Sequence, residues 1–152
     1  MEYVLSAHTI KSRKASLLYD EGEWSGVRKI ADRVCDDIKA VFGKKPELLL
    51  VKEAVQAEAV TAPVLFGTVG KCNALLKLDK AGFISLKEIE GKREVYSFTL
   101  LRDVPKKLFV AGAKGDFAQL LVIAGSEKRG TVYGLFHLSE MLGVSPFIDW
   151  LD

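Results

Sequence analysis

The chain of 152 residues is short of cysteine, histidine and proline, and each shortage removes a class of protein. It holds 2 cysteines and 2 histidines: Cys35, Cys72, His8 and His137. They stand far apart with no C-x-x-C spacing, whereas a structural zinc needs about four well-spaced ligands. With only 4 prolines, collagen-like and low-complexity classes are excluded. Neither sign of charge is in excess: 22 Lys plus Arg stand against 20 Asp plus Glu, a net +2. A nucleic-acid binder needs basic residues gathered on one face or stripe, which this balance does not offer. No apolar run reaches the roughly 18–20 residues of a membrane span. Neither nucleic acid nor a membrane is therefore an expected partner. The first residues, MEYVLSAHTIKSRK, place an apolar stretch before the positive charges, the reverse of a secretory signal.

What is present is a hydrophobic fraction of 49% in a chain of one-domain length. Such a chain buries roughly 68–70% of its unfolded surface, enough for a core without staples. The strongest element runs from Trp24 to Phe42. Its apolar residues Trp24, Val27, Ile30, Ala31, Val34, Cys35, Ile38, Val41 and Phe42 recur at the 3.6-residue period of a helix with one buried stripe. Asp20, Glu21 and Glu23 precede it, where a helix start favours negative charge. Gly43 and Pro46 end it. Short apolar runs at Ser16–Tyr19, Leu48–Val51 and Pro63–Phe66 predict strands. A second helix is expected over Cys72–Lys80, then a strand over Arg93–Leu101 and a short partner at Leu108–Ala111. A central strand is expected at Leu120–Ala124, and a third helix from about Gly130 to Leu142. Both cysteines then lie in helices and read as buried free thiols. The fold class is α/β: a mixed sheet carrying about three helices in a two-layer α+β arrangement.

Two glycine-rich turns between strand and helix are the places where an anion would be read. The first, G-T-V-G-K-C over 67–72, falls short of a P-loop, because Leu65 and Cys72 occupy two of its essential positions. Gly70 and Lys71 remain candidates for holding an anion at the helix start. The second, A-G-S-E-K-R-G over 124–130, lacks G-x-G-x-x-G and so has no dinucleotide fingerprint. Ser126, Lys128 and Arg129 are its candidates for orienting a carboxylate. Asp20, Glu21, Glu23, Asp36 and Asp37 are the clustered acids. The first three read as helix-start charge and the last two as solvated, not as a catalytic pair. His137 sits among Leu135, Phe136 and Leu138 and reads as packed, and no G-x-S-x-G elbow is present. No cofactor is expected.

Residues 121–146 read LVIAGSEKRGTVYGLFHLSEMLGVSP. This run resembles glycoside hydrolase family 115, the xylan α-1,2-glucuronidases. Their N-terminal domain ends in a strand, an A-G-S-(D/E)-K-R-G-T-x-Y-G helix start, an L-S-E turn and G-V-S-P. YDEGEWSGVRKIADRVCDDIKAVFG at 19–43 and GTVGK at 67–71 resemble the same domain, in the same order. A looser pattern, Gly130, Tyr133-Gly134 and Leu138, is similar to the accessory α/β domain before the barrel in several other glycosidase families.

The resemblance implies a single N-terminal accessory domain over 1–152. In the family the acid and base carboxylates lie on a following (β/α)8 barrel, which needs about 250 residues and cannot be held here. No catalytic residue carries over, so the chain alone is expected to be inactive. Its implied partner is the barrel of the same polypeptide, which removes (4-O-methyl)glucuronic acid from xylan-derived oligosaccharides by inverting hydrolysis. Phe147, Ile148, Trp150 and Leu151 are then expected to dock against that barrel. A free-standing small-molecule or anion-binding module built on the two glycine turns is the alternative. If Met1 is the natural start, the expected location is the cytoplasm.

Overall fold

The computed structural model describes residues 16–57 and 63–142. Phe147, Ile148, Trp150 and Leu151 lie outside the described residues. Five strands form one mixed sheet: β1 (Ser16–Tyr19), β2 (Glu47–Leu50), β3 (Pro63–Thr68), β4 (Tyr96–Pro105) and β5 (Asp116–Gly125), in the order β2-β1-β3-β5-β4. The first three and β5 run parallel, and β4 is the antiparallel edge beside β5. Among the described residues three α-helices lie between strands, α1 (Ser25–Phe42), α2 (Val51–Gln56) and α3 (Asn73–Lys80), and one more, α4 (Lys128–Met141), follows β5.

Side chains alternate across the pleat, so each strand feeds two cores. Leu17, Val64, Phe66, Leu121 and Ile123 meet Val27, Ala31, Val34, Cys35 and Ile38 of α1 and Leu135 and Leu138 of α4. On the other face Leu18, Leu65, Leu120 and Val122 meet Ala54 and Val55 of α2 and Leu75 and Leu78 of α3. Central strands covered on both faces explain why Pro63–Thr68 and the stretch from Leu120 to Gly125 are buried throughout.

The mixed α/β sheet read from the sequence is the one found, but helices cover both of its faces, so the arrangement has three layers where two were expected. The strand expected over Arg93–Leu101 is found at Tyr96–Pro105, and four further details differ. The fourth helix, α2, begins at Val51, which the apolar run had assigned to the strand. It is closed by the Glu53 carboxylate accepting the Leu50 N–H at 3.0 Å. Leu108–Ala111 is no strand, since Phe109 and Val110 N–H groups both turn back to the Lys106 carbonyl. The third difference is at Cys72, which caps α3 from outside in an extended conformation instead of lying within the helix. Its start is held by a distant partner: Asp20 at the end of β1 accepts the Ala74 N–H at 3.2 Å. Finally, Trp24 and Val41 leave the apolar stripe of α1 and are exposed.

Candidate functional site

The four parallel strands end at one rim of the sheet, where open α/β sheets bind their ligands. There β3 turns through Val69, Gly70 and Lys71 into the start of α3. The Lys71 N–H returns to the Thr68 carbonyl at 2.9 Å, and Gly70 takes φ +84°, a conformation that disfavours a side chain. The Val69 N–H bonds the Gly125 carbonyl at 2.9 Å, which fastens this turn to the end of β5.

The second turn is fastened to the segment before β4. Ser126 donates its N–H to the Val95 carbonyl at 2.8 Å, and its hydroxyl accepts the Val95 N–H at 3.1 Å. Glu127 accepts the Glu94 N–H at 3.1 Å, and Arg129 pairs with Glu94 at 2.8 Å. Ser126 is thus a structural tie, and its hydroxyl is already engaged.

Since β5 lies beside β3, the two turns share a rim. Gly70, Lys71, Ser126, Lys128 and Arg129 all border one open cleft of about 370 Å³, with Trp24 and Thr68 as further walls. That volume is at the low end for small-molecule sites. All five turn candidates therefore converge, although the two segments are 56 residues apart between Gly70 and Ser126. A smaller cleft of about 160 Å³ opens beside Tyr19, Asp20, Lys52, Asn73 and Phe109 at the ends of β1 and β2.

Beneath the larger cleft lies a polar chain that the sequence did not single out. The Glu23 carboxylate accepts the Thr68 N–H at 2.8 Å and the Thr68 hydroxyl at 2.7 Å. The Thr68 hydroxyl also meets the Thr131 hydroxyl at 2.6 Å, in the buried interior. An ionised carboxylate only accepts, so Thr68 donates to Glu23 and receives its second bond from Thr131. Burial raises the Glu23 pKa, and the Thr68 hydrogen bonds oppose that rise. The reading of Glu23 as simple helix-start charge is incomplete: its partner is β3. Glu21 pairs with Lys52 at 3.5 Å, Asp36 with Lys45 at 2.8 Å, and Asp37 is half-buried and not fully solvated. Trp24 was also missed, because its spacing matched the apolar stripe. Its ring instead carries the Lys71 ammonium at 4.2 Å from the centroid.

Glu23, Asp20, Glu21 and Glu127, the carboxylates at the two clefts, each already accept a bond or pair within the domain. His137 is wedged between Tyr96 and Phe98, with the Tyr96 hydroxyl 3.1 Å from Nδ1. Among the described residues no three His, Cys, Asp or Glu side chains gather closely enough to hold a metal. No described helix is long and apolar enough to cross a membrane.

No profile of a known protein family matches the chain, and no curated protein matches it. Among solved structures, the chain is similar in fold to a family GH115 4-O-methyl-α-glucuronidase with specificity for decorated arabinogalactans. The TM-score is 0.54 at 23% identity, and the match covers 92% of this chain but 15% of that one.

Proposed function

We propose that this chain is a non-catalytic, N-terminal accessory domain of a glycoside hydrolase similar to the family 115 α-glucuronidases. The observation that carries the reading is the extent of the structural likeness: nearly all of this chain against about a seventh of the enzyme. The use of the A-G-S-E-K-R-G-T-V-Y-G run supports it. Gly125, Gly130 and Gly134 sit where a Cβ would strike Thr131, the Val95 carbonyl and Ile123 respectively. Ser126, Glu127, Arg129 and Thr131 are all occupied in hydrogen bonds or ion pairs within the domain. Read this way, the run is a packing device that seats α4 on the sheet and leaves the chemistry to another part of the polypeptide.

That part is a (β/α)8 barrel, against which Phe147, Ile148, Trp150 and Leu151 dock. The substrate of the whole enzyme is an oligosaccharide bearing (4-O-methyl)glucuronic acid. Xylan is the source suggested by the sequence resemblance, whereas the structural neighbour acts on decorated arabinogalactans. The purified chain, incubated with aldouronic acids, is expected to release no uronic acid above a buffer blank. Release that co-purifies with the folded chain would overturn the proposal.

A further inference from the structure

We propose that the loop from Asp20 to Trp24 is a built-in plug, whose two carboxylates close from within the crevice where a doubly wound sheet takes an anionic ligand. The topology fixes where that crevice lies. From β1 the chain turns into α1, which packs on the face of Leu17, Val64 and Phe66, and goes on to β2 at one side. From β3, which lies beside β1, it turns into α3 on the opposite face, against Leu18 and Leu65, and goes on towards β5 and β4. Adjacent parallel strands whose loops leave to opposite faces part at their carboxyl ends. Open α/β sheets bind their ligands in that gap.

Here the first loop fills the gap with its own side chains. Asp20 spans it: Oδ2 accepts the Ala74 N–H, in the first turn of α3, at 3.2 Å, and Oδ1 accepts the Gly22 N–H at 3.3 Å. Glu23 reaches the end of β3, where its carboxylate accepts the Thr68 N–H at 2.8 Å and the Thr68 hydroxyl at 2.7 Å. Between the two acids, Gly22 lies so close to the β3–α3 turn that a Cβ would stand 3.0 Å from the Lys71 carbonyl oxygen.

The start of α3 has no side-chain cap of its own, because Cys72 makes no capping bond. The N–H groups of a helix start need an acceptor, and Asp20 supplies one from another strand. Main-chain N–H groups converging on one carboxylate are what an anion-binding turn offers a ligand. In this chain the anion is Asp20 itself. Clefts of about 160 and 370 Å³ flank the loop, which lends Asp20 and Glu21 to the wall of the first and Trp24 to the wall of the second. The plug therefore keeps exogenous carboxylates and phosphates from the Gly22 and Ala74 N–H groups. Its removal frees a place for an anion the size of formate.

The test is chemical rescue of D20A in the whole chain, with formate as the probe and chloride at equal ionic strength as the control. D20A is expected to unfold at a lower temperature than the wild type. Formate should raise its midpoint saturably and beyond the effect of chloride, with no such gain in the wild type. In ¹⁵N NMR spectra formate should move the Gly22 and Ala74 amides of D20A towards their wild-type positions. In the wild type neither formate nor inorganic phosphate should move them. D20N takes its place if the alanine variant does not fold. Its amide oxygen replaces only one of the two acceptors, so it should be less stable than the wild type, and equal stability overturns the proposal. So do wild-type shifts at these two amides with formate or phosphate, a D20A protein as stable as the wild type, or a folded D20A that formate leaves unchanged. The accessory-domain reading is untouched by any of these outcomes, since uronic-acid release decides it separately.

Discussion

Thr68 and Thr131 stand hydroxyl to hydroxyl at 2.6 Å in the buried interior, tying the end of β3 to the first turn of α4. Both residues are almost fully buried, at 2% and 0% exposure, so neither hydroxyl can turn to water if its partner is lost. Thr131→Val keeps the shape and removes the bond. Because the Thr68 hydroxyl keeps its bond to Glu23, the variant should destabilise the domain by about 0.5–1.5 kcal/mol, the net contribution of one hydrogen bond. Urea unfolding of the two single valine variants and the double variant measures the coupling. The double should cost less than the sum of the singles by about 0.5 kcal/mol or more. Strict additivity would show that the contact contributes nothing.

Glu23 should contribute to stability with a pH dependence opposite to that of a salt-bridged carboxylate. Its pKa in the folded protein is raised above the ordinary value, chiefly by burial. The folded state therefore holds the proton more tightly than the unfolded chain. The resulting contribution to stability is present below the ordinary carboxylate pKa, and it is lost as pH rises through the folded value. Glu23→Gln should remove this contribution. The stability of the wild type relative to the glutamine variant should fall on going from acid to neutral pH. A difference that stays flat, or that rises, across this window would contradict the burial argument.

How much of this was legible in the sequence differs from element to element. The helix α1 declared itself through eighteen residues of amphipathic period and through Gly43, which takes φ 85° and bonds back to Lys39. The short helix α2 did not, because Val51 extends the apolar run of β2, and the six residues that follow the strand are too few to display a helical period. Leu108–Ala111 looked like a strand because it is apolar. Its burial comes from packing in the β4–β5 connection, not from pairing. The two glycine turns were visible as separate weak motifs. Their union into one cleft depends on β5 inserting beside β3 while β4, earlier in the chain, goes to the edge, and no local pattern encodes that order. The polar chain from Glu23 to Thr131 spans the same long-range pairing and was invisible for the same reason.

The two cysteines should be chemically silent in the native state. Cys35 lies in the core beneath α1 and Cys72 in the core on the opposite face of the sheet. The sheet between them prevents a disulfide. Burial pushes each thiol up to about 12. Near pH 8 only roughly one thiol in ten thousand is then ionised, and the thiolate is the reactive form. An aromatic disulfide reagent should label neither thiol in the folded protein, and both once urea unfolds it. Labelling of either cysteine faster than global unfolding would place it in a more open or more polar setting than the structure gives.

Two glycines beside the same cleft should respond in opposite directions to the same substitution. Gly130 begins the seating of α4 on the sheet, and a Cβ there would collide with the backbone carbonyl of Val95. That carbonyl is fixed, since it accepts the Ser126 N–H at 2.8 Å. Neither partner can yield without breaking the tie between the β5–α4 turn and β4. Gly130→Ala should therefore cost about 1–3 kcal/mol or more, in the manner of an overpacked core, even though alanine favours helices. At Gly26, in the first turn of α1, the neighbour is the far end of the Lys128 side chain. That end can swing into solvent at little cost. Gly26→Ala should then show mainly the helix preference for alanine over glycine, a stabilisation of about 0.5–1 kcal/mol. Thermal or urea unfolding of the two variants side by side provides the measurement. A Gly130→Ala protein as stable as the wild type would mean that α4 is not seated by its glycines, and the packing role assigned to the A-G-S-E-K-R-G-T-V-Y-G run would fail with it.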